Sequence, residues 1–157
     1  MITDRLEIKV KLISSLIKKQ IPIPNYATPG AAALDLHACC VEPIVIPAHG
    51  NGKIPTGIAI ELPGPELVAL VFPRSGLASK HGISLSNAVG VIDSDYRGEI
   101  ICLVKNDSAT DFLVNPGDRV AQIGFFPIHQ VSLVEVDELG VTQRGDGGFG
   151  STGISYN

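Results

Sequence analysis

Alternation of apolar and charged residues marks the beginning of this chain as extended. In the segment 6–12, leucine, isoleucine or valine at each even position alternates with glutamate or lysine at each odd position. An extended segment places these two sets on opposite faces, so the pattern predicts a half-buried strand. The alternation recurs over 58–62, and the continuous apolar runs 67–72 and 100–104 predict strands buried on both faces.

Further short apolar segments continue this pattern along the chain. Four more strands are predicted, over 41–46, 112–114, 120–126 and 131–136. Turn residues separate nearly all of the strands. In the turn 115–118, a proline presets one position and Gly117 supplies the positive φ of a type II turn. The sequence therefore predicts an all-β sandwich or barrel of short strands.

One short helix is predicted, over 75–81. Ser75 can cap its start, and Lys80 and His81 suit its C-terminal end. The free amides of this start would lie beside Arg74, and a helix N-terminus next to an arginine favours an anion. From this segment alone, a surface charge is the simpler interpretation of Arg74.

The composition also indicates the cellular compartment and argues against some classes of binding partner. The 157 residues are 45% hydrophobic with 5 Phe, 3 Tyr and no Trp, which predicts one domain with an aliphatic core. A formal charge of −4 argues against broad nucleic-acid binding, and the apolar runs are too short to span a membrane. The three cysteines form no C-x-x-C pair and no even set, so we expect inert thiols and a reducing, cytoplasmic setting.

A glycine-rich stretch, 144–153, sets the end of the chain apart. Its five glycines cannot build a core, so we divide the chain into a body, 1–140, and a flexible arm, 141–157. A frayed polar tail is the simplest alternative. An adhesion tripeptide at 144–146 lacks the signal peptide that it would need. A G-x-G-x-x-G match at 145–150 has no room for the βαβ unit that would give it meaning.

The segment 90–98 predicts a β-hairpin, because apolar residues enter a polar turn and strand residues follow it. Asp93 and Asp95 lie two apart in that turn. One of these carboxylates can act as a general base, both can simply form the turn, and a metal-binding pair is a third alternative.

Five segments in order resemble the trimeric dUTPase family, of the bacterial type. They span almost the whole chain and occupy 31–36, 73–82, 87–98, 117–122 and 144–153. The resemblance implies a jelly-roll-like β-barrel and a homotrimer with shared active sites. It also implies Mg²⁺-assisted hydrolysis of dUTP to dUMP and pyrophosphate, which keeps uracil out of DNA and supplies dUMP for dTMP synthesis.

The resemblance also implies a role for each matched residue. Asp93 is the expected base that activates water, Tyr96 packs on the deoxyribose, and Asp35 reaches the metal through water. Arg119 braces that shell. Uracil contacts are expected at Asn87, Val91, Ile92, Asp93 and Ile101, and triphosphate contacts at Arg74, Ser75, Gly76 and Gln122. The arm is expected to close over the substrate with Arg144, Phe149, Gly150, Ser151 and Thr152.

Two positions depart from the family pattern, and two other functions compete with hydrolysis. Ala33 replaces a usual glycine, and Gly124 replaces a usual bulky aliphatic residue, which leaves the local backbone geometry open. The scattered histidines do not have the spacing of a zinc site. The competing functions are a dCTP deaminase-like enzyme of the same fold and a non-catalytic nucleotide-binding β-trimer.

Overall fold

The computed structural model describes residues 6–148 and is built almost entirely from short strands. The strands are β1 Lys9–Leu12, β2 Leu34–His37, β3 Ile44–Ile46, β4 Asn51–Pro55, β5 Ile58–Glu61, β6 Leu67–Phe72, β7 Ile83–Leu85, β8 Gly90–Ile92, β9 Ile101–Asn106, β10 Phe112–Val114 and β11 Arg119–Pro127. The helix α1 spans Ser75–His81. The prediction of an all-β fold with one short helix is confirmed within the described part of the chain.

These strands form four antiparallel groups around one core. The largest sheet has the order β2-β11-β6-β8, a second has the order β4-β9-β7, and two ribbons pair β1 with β5 and β3 with β10. The core is aliphatic, as the low aromatic content predicts. Its largest fully buried hydrophobic side chains are Ile21, Leu36, Ile46, Ile54, Ile100 and Ile123.

Several local predictions are confirmed. β6, β10 and α1 occupy the predicted residues, and Gly117 has a φ of 83° in the turn after β10. Cys39 and Cys102 are buried, and Cys40 is partly buried; all three are free thiols. Burial raises the pKa of Cys102 to about 12, as expected of an inert core thiol.

Other predictions are wrong, for reasons of packing. The segment 131–136 forms no strand, because alternation predicts an extended chain but cannot supply the partner that completes a ladder. β9 is not buried on both faces: Ile101 is 46% exposed and Leu103 38% exposed. Ser75 does not cap α1, since the N-cap position belongs to Arg74 and no side chain caps it.

Beyond β11, the described residues 128–148 form neither helix nor strand and are almost entirely exposed. Leu133 is 95% exposed and Val141 102% exposed, although both are apolar. No helix within residues 6–148 has the length and apolar character that crossing a membrane requires.

Candidate active site

The register of the largest sheet brings together three segments that are far apart in sequence. Gln122 of β11 lies opposite Asp35 of β2 on one side and opposite Phe72 of β6 on the other. The chain leaves β6 at Phe72 and reaches Arg74 and α1 two residues later. One strand therefore aligns the carboxylate of Asp35, the amide of Gln122 and the guanidinium of Arg74 at the same end of the sheet.

Asp35 lies between two arginines. Its Oδ1 is 3.2 Å from Nε of Arg74, and its Oδ2 is 3.3 Å from Nη1 of Arg119. Arg74 also donates a hydrogen bond from Nη1 to the carbonyl oxygen of Arg119, at 3.3 Å. The carboxylate is 12% exposed and Arg74 27% exposed, so solvent screens this pair less than a surface pair. The three side chains hold one another in place.

A cavity of about 400 Å³ opens over this cluster. Its charged lining consists of Asp35, Arg74, Lys80 and Arg119, three cations against one anion, which favours an anionic ligand. Ser75 and Gly76 also line it, and a Cβ built at Gly76 would meet no atom of residues 6–148 within 4 Å, so a ligand can approach the backbone closely.

Sequence reasoning missed Lys80 and His81 as cavity residues. It assigned them to the C-terminal end of α1, which is also where they lie. The signal was helical spacing, because Lys80 is four residues after Gly76, and residues i and i+4 share a helix face. Lys80 and His81 line the same cavity as Arg74 and the first residues of α1.

His37 lies beside the ion pairs but remains uncharged. It pairs with Arg119 across the β2–β11 ladder and is 9% exposed, and its Nδ1 has no hydrogen-bond partner among residues 6–148. Burial lowers the pKa of His37, although the nearby Asp35 carboxylate raises it. The lowered pKa favours the neutral imidazole beside the two arginines.

Gln122 braces the loop that carries the arginine. Its Nε2 donates to the carbonyl oxygen of Pro73 at 3.0 Å, one residue before Arg74. The side chain lines the cavity and has a second amide hydrogen, so it can contact a ligand while holding the loop.

The segment 90–98 is a turn between two sheets. The amide of Tyr96 donates to the carbonyl oxygen of Asp93 at 3.2 Å. The predicted hairpin is wrong, because β8 before the turn pairs with β6, whereas β9 after it pairs with β4 and β7. The ladder partners of each strand come from elsewhere in the sequence, which local patterning cannot reveal.

The remaining residues predicted around the base are accessible. Asn87 and Asp93 are exposed, Val91 is 61% exposed, Tyr96 44% and Ile101 46%, while Ile92 is partly buried. Ile101 begins β9, in the second sheet. The side chains therefore leave a surface that a ligand can reach.

The two parts of the predicted site are separated within one chain. Ile92, the neighbour of Asp93, lies opposite Ala69 in β6, five residues before Arg74. Five extended residues correspond to roughly 17 Å. Among the described residues, none from 87–101 lines the cavity around Arg74. A single chain does not bring Asp93 to this cavity.

Only the beginning of the predicted lid lies within the described residues. Arg144 donates from Nε to the carbonyl oxygen of Gly147 at 2.8 Å and forms a local turn. Phe149, Gly150, Ser151 and Thr152 lie outside residues 6–148.

The two departures from the family pattern have simple structural settings. Ala33 has no left-handed φ, so its backbone does not require glycine. A Cβ built at Gly124 would lie 2.9 Å from Cε2 of Phe126, so the phenylalanine ring occupies the space of a larger residue. Neither position disturbs the ion pairs of Asp35.

The chain is similar to known proteins over most of its length. The family model described as dUTPase matches residues 19–153. The deoxyuridine 5'-triphosphate nucleotidohydrolase of Desulfitobacterium hafniense strain DCB-2 is 51% identical over 94% of this chain and 98% of its own length.

Two solved structures show the same fold. The Staphylococcus bacteriophage 80alpha dUTPase with dUPNHPP is 27% identical, with a TM-score of 0.79 over 94% of this chain and 99% of its own. A D95N mutant dUTPase from phage phi11 of S. aureus, which coordinates a structural Mg(II) ion, is 23% identical, with a TM-score of 0.73 over 84% and 97%. The jelly-roll-like fold is confirmed, and the chain belongs to the dUTPase family.

Proposed function

We propose that this chain hydrolyses dUTP to dUMP and pyrophosphate through water activated by Asp93. The observation that carries this proposal is the cation-rich cavity in which Arg74 and Arg119 hold Asp35 at 3.2 and 3.3 Å, within a chain that the dUTPase family model covers from 19 to 153. Paired guanidiniums suit a triphosphate, whose oxygens accept charge-assisted hydrogen bonds.

The chemical step is a displacement at the α-phosphorus. Asp93 takes a proton from water, the water oxygen bonds to the α-phosphorus, and the bond to the bridging oxygen breaks so that pyrophosphate leaves. Arg74, with Ser75 and the amide of Gly76, binds the negative oxygens as the charge moves toward the leaving group. The exposure of Asp93 supports this role, because the carboxylate is open to water and substrate.

The base and sugar bind at the turn that carries Asp93. The backbone around Asn87 and Val91–Asp93, with a contact from Ile101, reads the uracil edge. Tyr96 packs on the deoxyribose and leaves no space for a 2′-hydroxyl. A backbone surface rejects other bases by leaving their polar groups unpaired or by excluding their extra atoms.

Magnesium fits this site through the substrate rather than through a protein cage. Among residues 6–148, no three His, Cys, Asp or Glu side chains gather into a metal site. Mg²⁺ commonly combines one carboxylate, several waters and substrate phosphates, and Asp35 is the carboxylate at this cavity. When bound, the ion neutralises triphosphate charge; Asp35 orients its water shell, and Arg119 holds Asp35.

In a homotrimer with shared active sites, one chain supplies the cavity around Arg74 and another chain supplies Asp93. Exposed apolar residues support assembly: Ile101 and Leu103 face outward from β9, and the segment 128–148 carries Leu133 and Val141 in solvent. An apolar groove of about 1020 Å³ borders β1 and β5 and suits such a segment from another chain. In this assembly, the arm 141–157 closes over a site with Arg144, Phe149, Gly150, Ser151 and Thr152.

The reducing cytoplasm is the proposed location. Its support is chemical, because Cys39, Cys40 and Cys102 are free thiols, and free buried thiols are typical of proteins that work in reducing compartments.

A product assay tests the reaction. We expect dUTP with Mg²⁺ to give dUMP and pyrophosphate, and dCTP and dTTP to give little product, because the backbone surface discriminates among bases. Chromatography of the nucleotides and an enzymatic pyrophosphate assay measure both products. Absence of pyrophosphate from dUTP contradicts the proposal. Ammonia from dCTP would instead identify a deaminase.

Mixed assemblies test the shared site. We expect Arg74→Ala and Asp93→Asn to be inactive alone and to regain activity when co-expressed with different affinity tags and purified through both. If each site takes Arg74 from one chain and Asp93 from another, each mixed trimer holds one working site, so about a third of the sites should work after purification through both tags.

Light scattering of the wild-type protein provides the matching measurement of mass. We expect three times the chain mass of 16.5 kDa. A monomeric mass with full activity contradicts the shared site, and so does a mixture of the two variants that assembles but stays inactive.

A further inference from the structure

The ring of Tyr96 lies in the space that a side chain at position 98 would occupy. A Cβ built at Gly98 would clash with Oη of Tyr96 and would lie 2.5 Å from Cζ and 3.0 Å from Cε2. Gly98 is not among the glycines with positive φ, so its backbone conformation is open to other residues. Glycine is favoured at position 98 because the Tyr96 ring occupies the space that a larger side chain would fill.

A hydrogen bond fixes the outer end of the same ring. Oη of Tyr96 donates to the carbonyl oxygen of Glu99 at 3.1 Å. The amide of Tyr96 donates to the carbonyl oxygen of Asp93 at 3.2 Å, which ties the ring to the turn of the proposed base. Both ends of the tyrosine therefore have a defined position.

The Glu99 carbonyl is itself held by the body of the fold. The amide of Gly57, between β4 and β5, donates to Oε1 of Glu99 at 2.8 Å. The next residue, Ile100, is 1% exposed, donates from its amide to Ile58 at 2.9 Å, and accepts a bond from Oγ1 of Thr56 at 2.6 Å. The acceptor for the tyrosine hydroxyl cannot move without breaking these contacts.

We propose that Gly98 and Glu99 are positioning residues that set the height of the Tyr96 ring and thereby determine how strongly the enzyme rejects ribonucleotides. This inference rests on the proposed packing of Tyr96 against deoxyribose. Gly98 leaves space for the outer atoms of the ring, and the Glu99 carbonyl holds its hydroxyl. A displaced ring opens space beside the sugar, where a 2′-hydroxyl then fits.

Gly98→Ala tests the first residue. The clash falls on the outer atoms of a side chain, so the ring moves and the backbone stays folded. We expect the ratio of kcat/KM for dUTP to kcat/KM for UTP to fall by about tenfold or more, against the roughly 10²-fold rejection that a pocket achieves for an added hydroxyl. Gly30→Ala is the matched control, because a Cβ there meets nothing within 4 Å. It should keep the wild-type ratio.

A pair of substitutions at Glu99 tests the second residue and does not depend on Gly98→Ala folding. Glu99→Gln keeps an oxygen that can accept from Gly57, so we expect the wild-type ratio. Glu99→Leu removes that acceptor, and the ratio should fall. Circular dichroism and the midpoint of thermal unfolding show whether each variant is folded.

The outcomes separate this inference from the proposed function. A wild-type enzyme that turns over UTP as well as dUTP overturns both the role of Tyr96 and the inference. If the wild-type enzyme discriminates and folded Gly98→Ala and Glu99→Leu discriminate equally well, the inference alone is overturned. A lower ratio in these two variants, with Gly30→Ala and Glu99→Gln unchanged, supports it.

Discussion

Asp93→Asn should retain dUTP binding and lose turnover. The substitution keeps the size and shape of the side chain but removes the ionised oxygen that takes a proton from water. General-base catalysis typically contributes 10²–10⁴-fold, so we expect kcat to fall by about that factor. Single-turnover kinetics measure the chemical step, and titration calorimetry with dUTP and Mg²⁺ measures binding. Asp93 is exposed in a turn, so we expect the substitution to change the free energy of unfolding little. Unfolding would therefore not explain the lost turnover.

Asp95→Asn is the matched control for this variant. Asp95 is also exposed and lies two residues further along the same turn, so the two substitutions change the same charge in nearly the same place. We expect Asp95→Asn to keep most of the turnover, because Asp93 and not Asp95 is the proposed base. If both variants turn over near the wild-type rate, the role of Asp93 is refuted. If only Asp95→Asn loses turnover, the base is Asp95.

Deleting 141–157 should leave the body folded and reduce hydrolysis on the order of 10²-fold. Closure of the arm excludes bulk water and aligns the water molecule that attacks the substrate. Small errors in that alignment lower the rate by factors of this size. Of the removed residues, those that the structure describes, 141–148, contribute no side chain to the aliphatic core. Steady-state kinetics measure the loss, and far-UV circular dichroism measures the fold.

A shorter deletion controls for the loss of the chain end itself. Removing only 154–157 takes away residues beyond the family match, which ends at 153, and keeps every side chain proposed for the lid. We expect this variant to have activity close to wild type. Full activity after deletion of 141–157 would refute the lid, and equal losses from the two deletions would assign the effect to the extreme end.

Local chemistry explains which elements could be predicted from the sequence. The helix over 75–81 ends where Gly82 takes a φ of 67°, a conformation that glycine adopts without steric cost. β6 is a continuous apolar run, which is a strong signal for a buried strand. Both signals lie within the element or directly beside it, so no knowledge of partners is needed.

Elements that depend on distant partners could not be predicted. β2 contains Asp35, which interrupts an apolar pattern. Its burial is compensated by ion pairs with Arg74 and Arg119. β4 begins with Asn51 and Gly52, a pair typical of turns, and becomes a strand by pairing with β9. The segment 131–136 shows the converse, an extended pattern without a strand partner among the residues that the structure describes.

The same limit applies to the site. Five segments predicted the site residues, and residue type indicated the chemistry expected of each. The ion pairs of Asp35, the bracing of Pro73 by Gln122 and the distance between Asp93 and Arg74 along β6 follow from sheet register. Register joins residues that are 39 to 87 positions apart in the sequence, here Asp35, Arg74 and Gln122, and no local pattern encodes it.

The exposed apolar segment after β11 also affects the tendency of a newly synthesised chain to aggregate. Before assembly, an extended and apolar stretch can pair with any other unfolded chain, and charges placed within such stretches resist this. Glu135, Asp137 and Glu138 interrupt the apolar residues between Val131 and Val141. We expect these acids to act as gatekeepers that keep the exposed segment from aggregating with other chains.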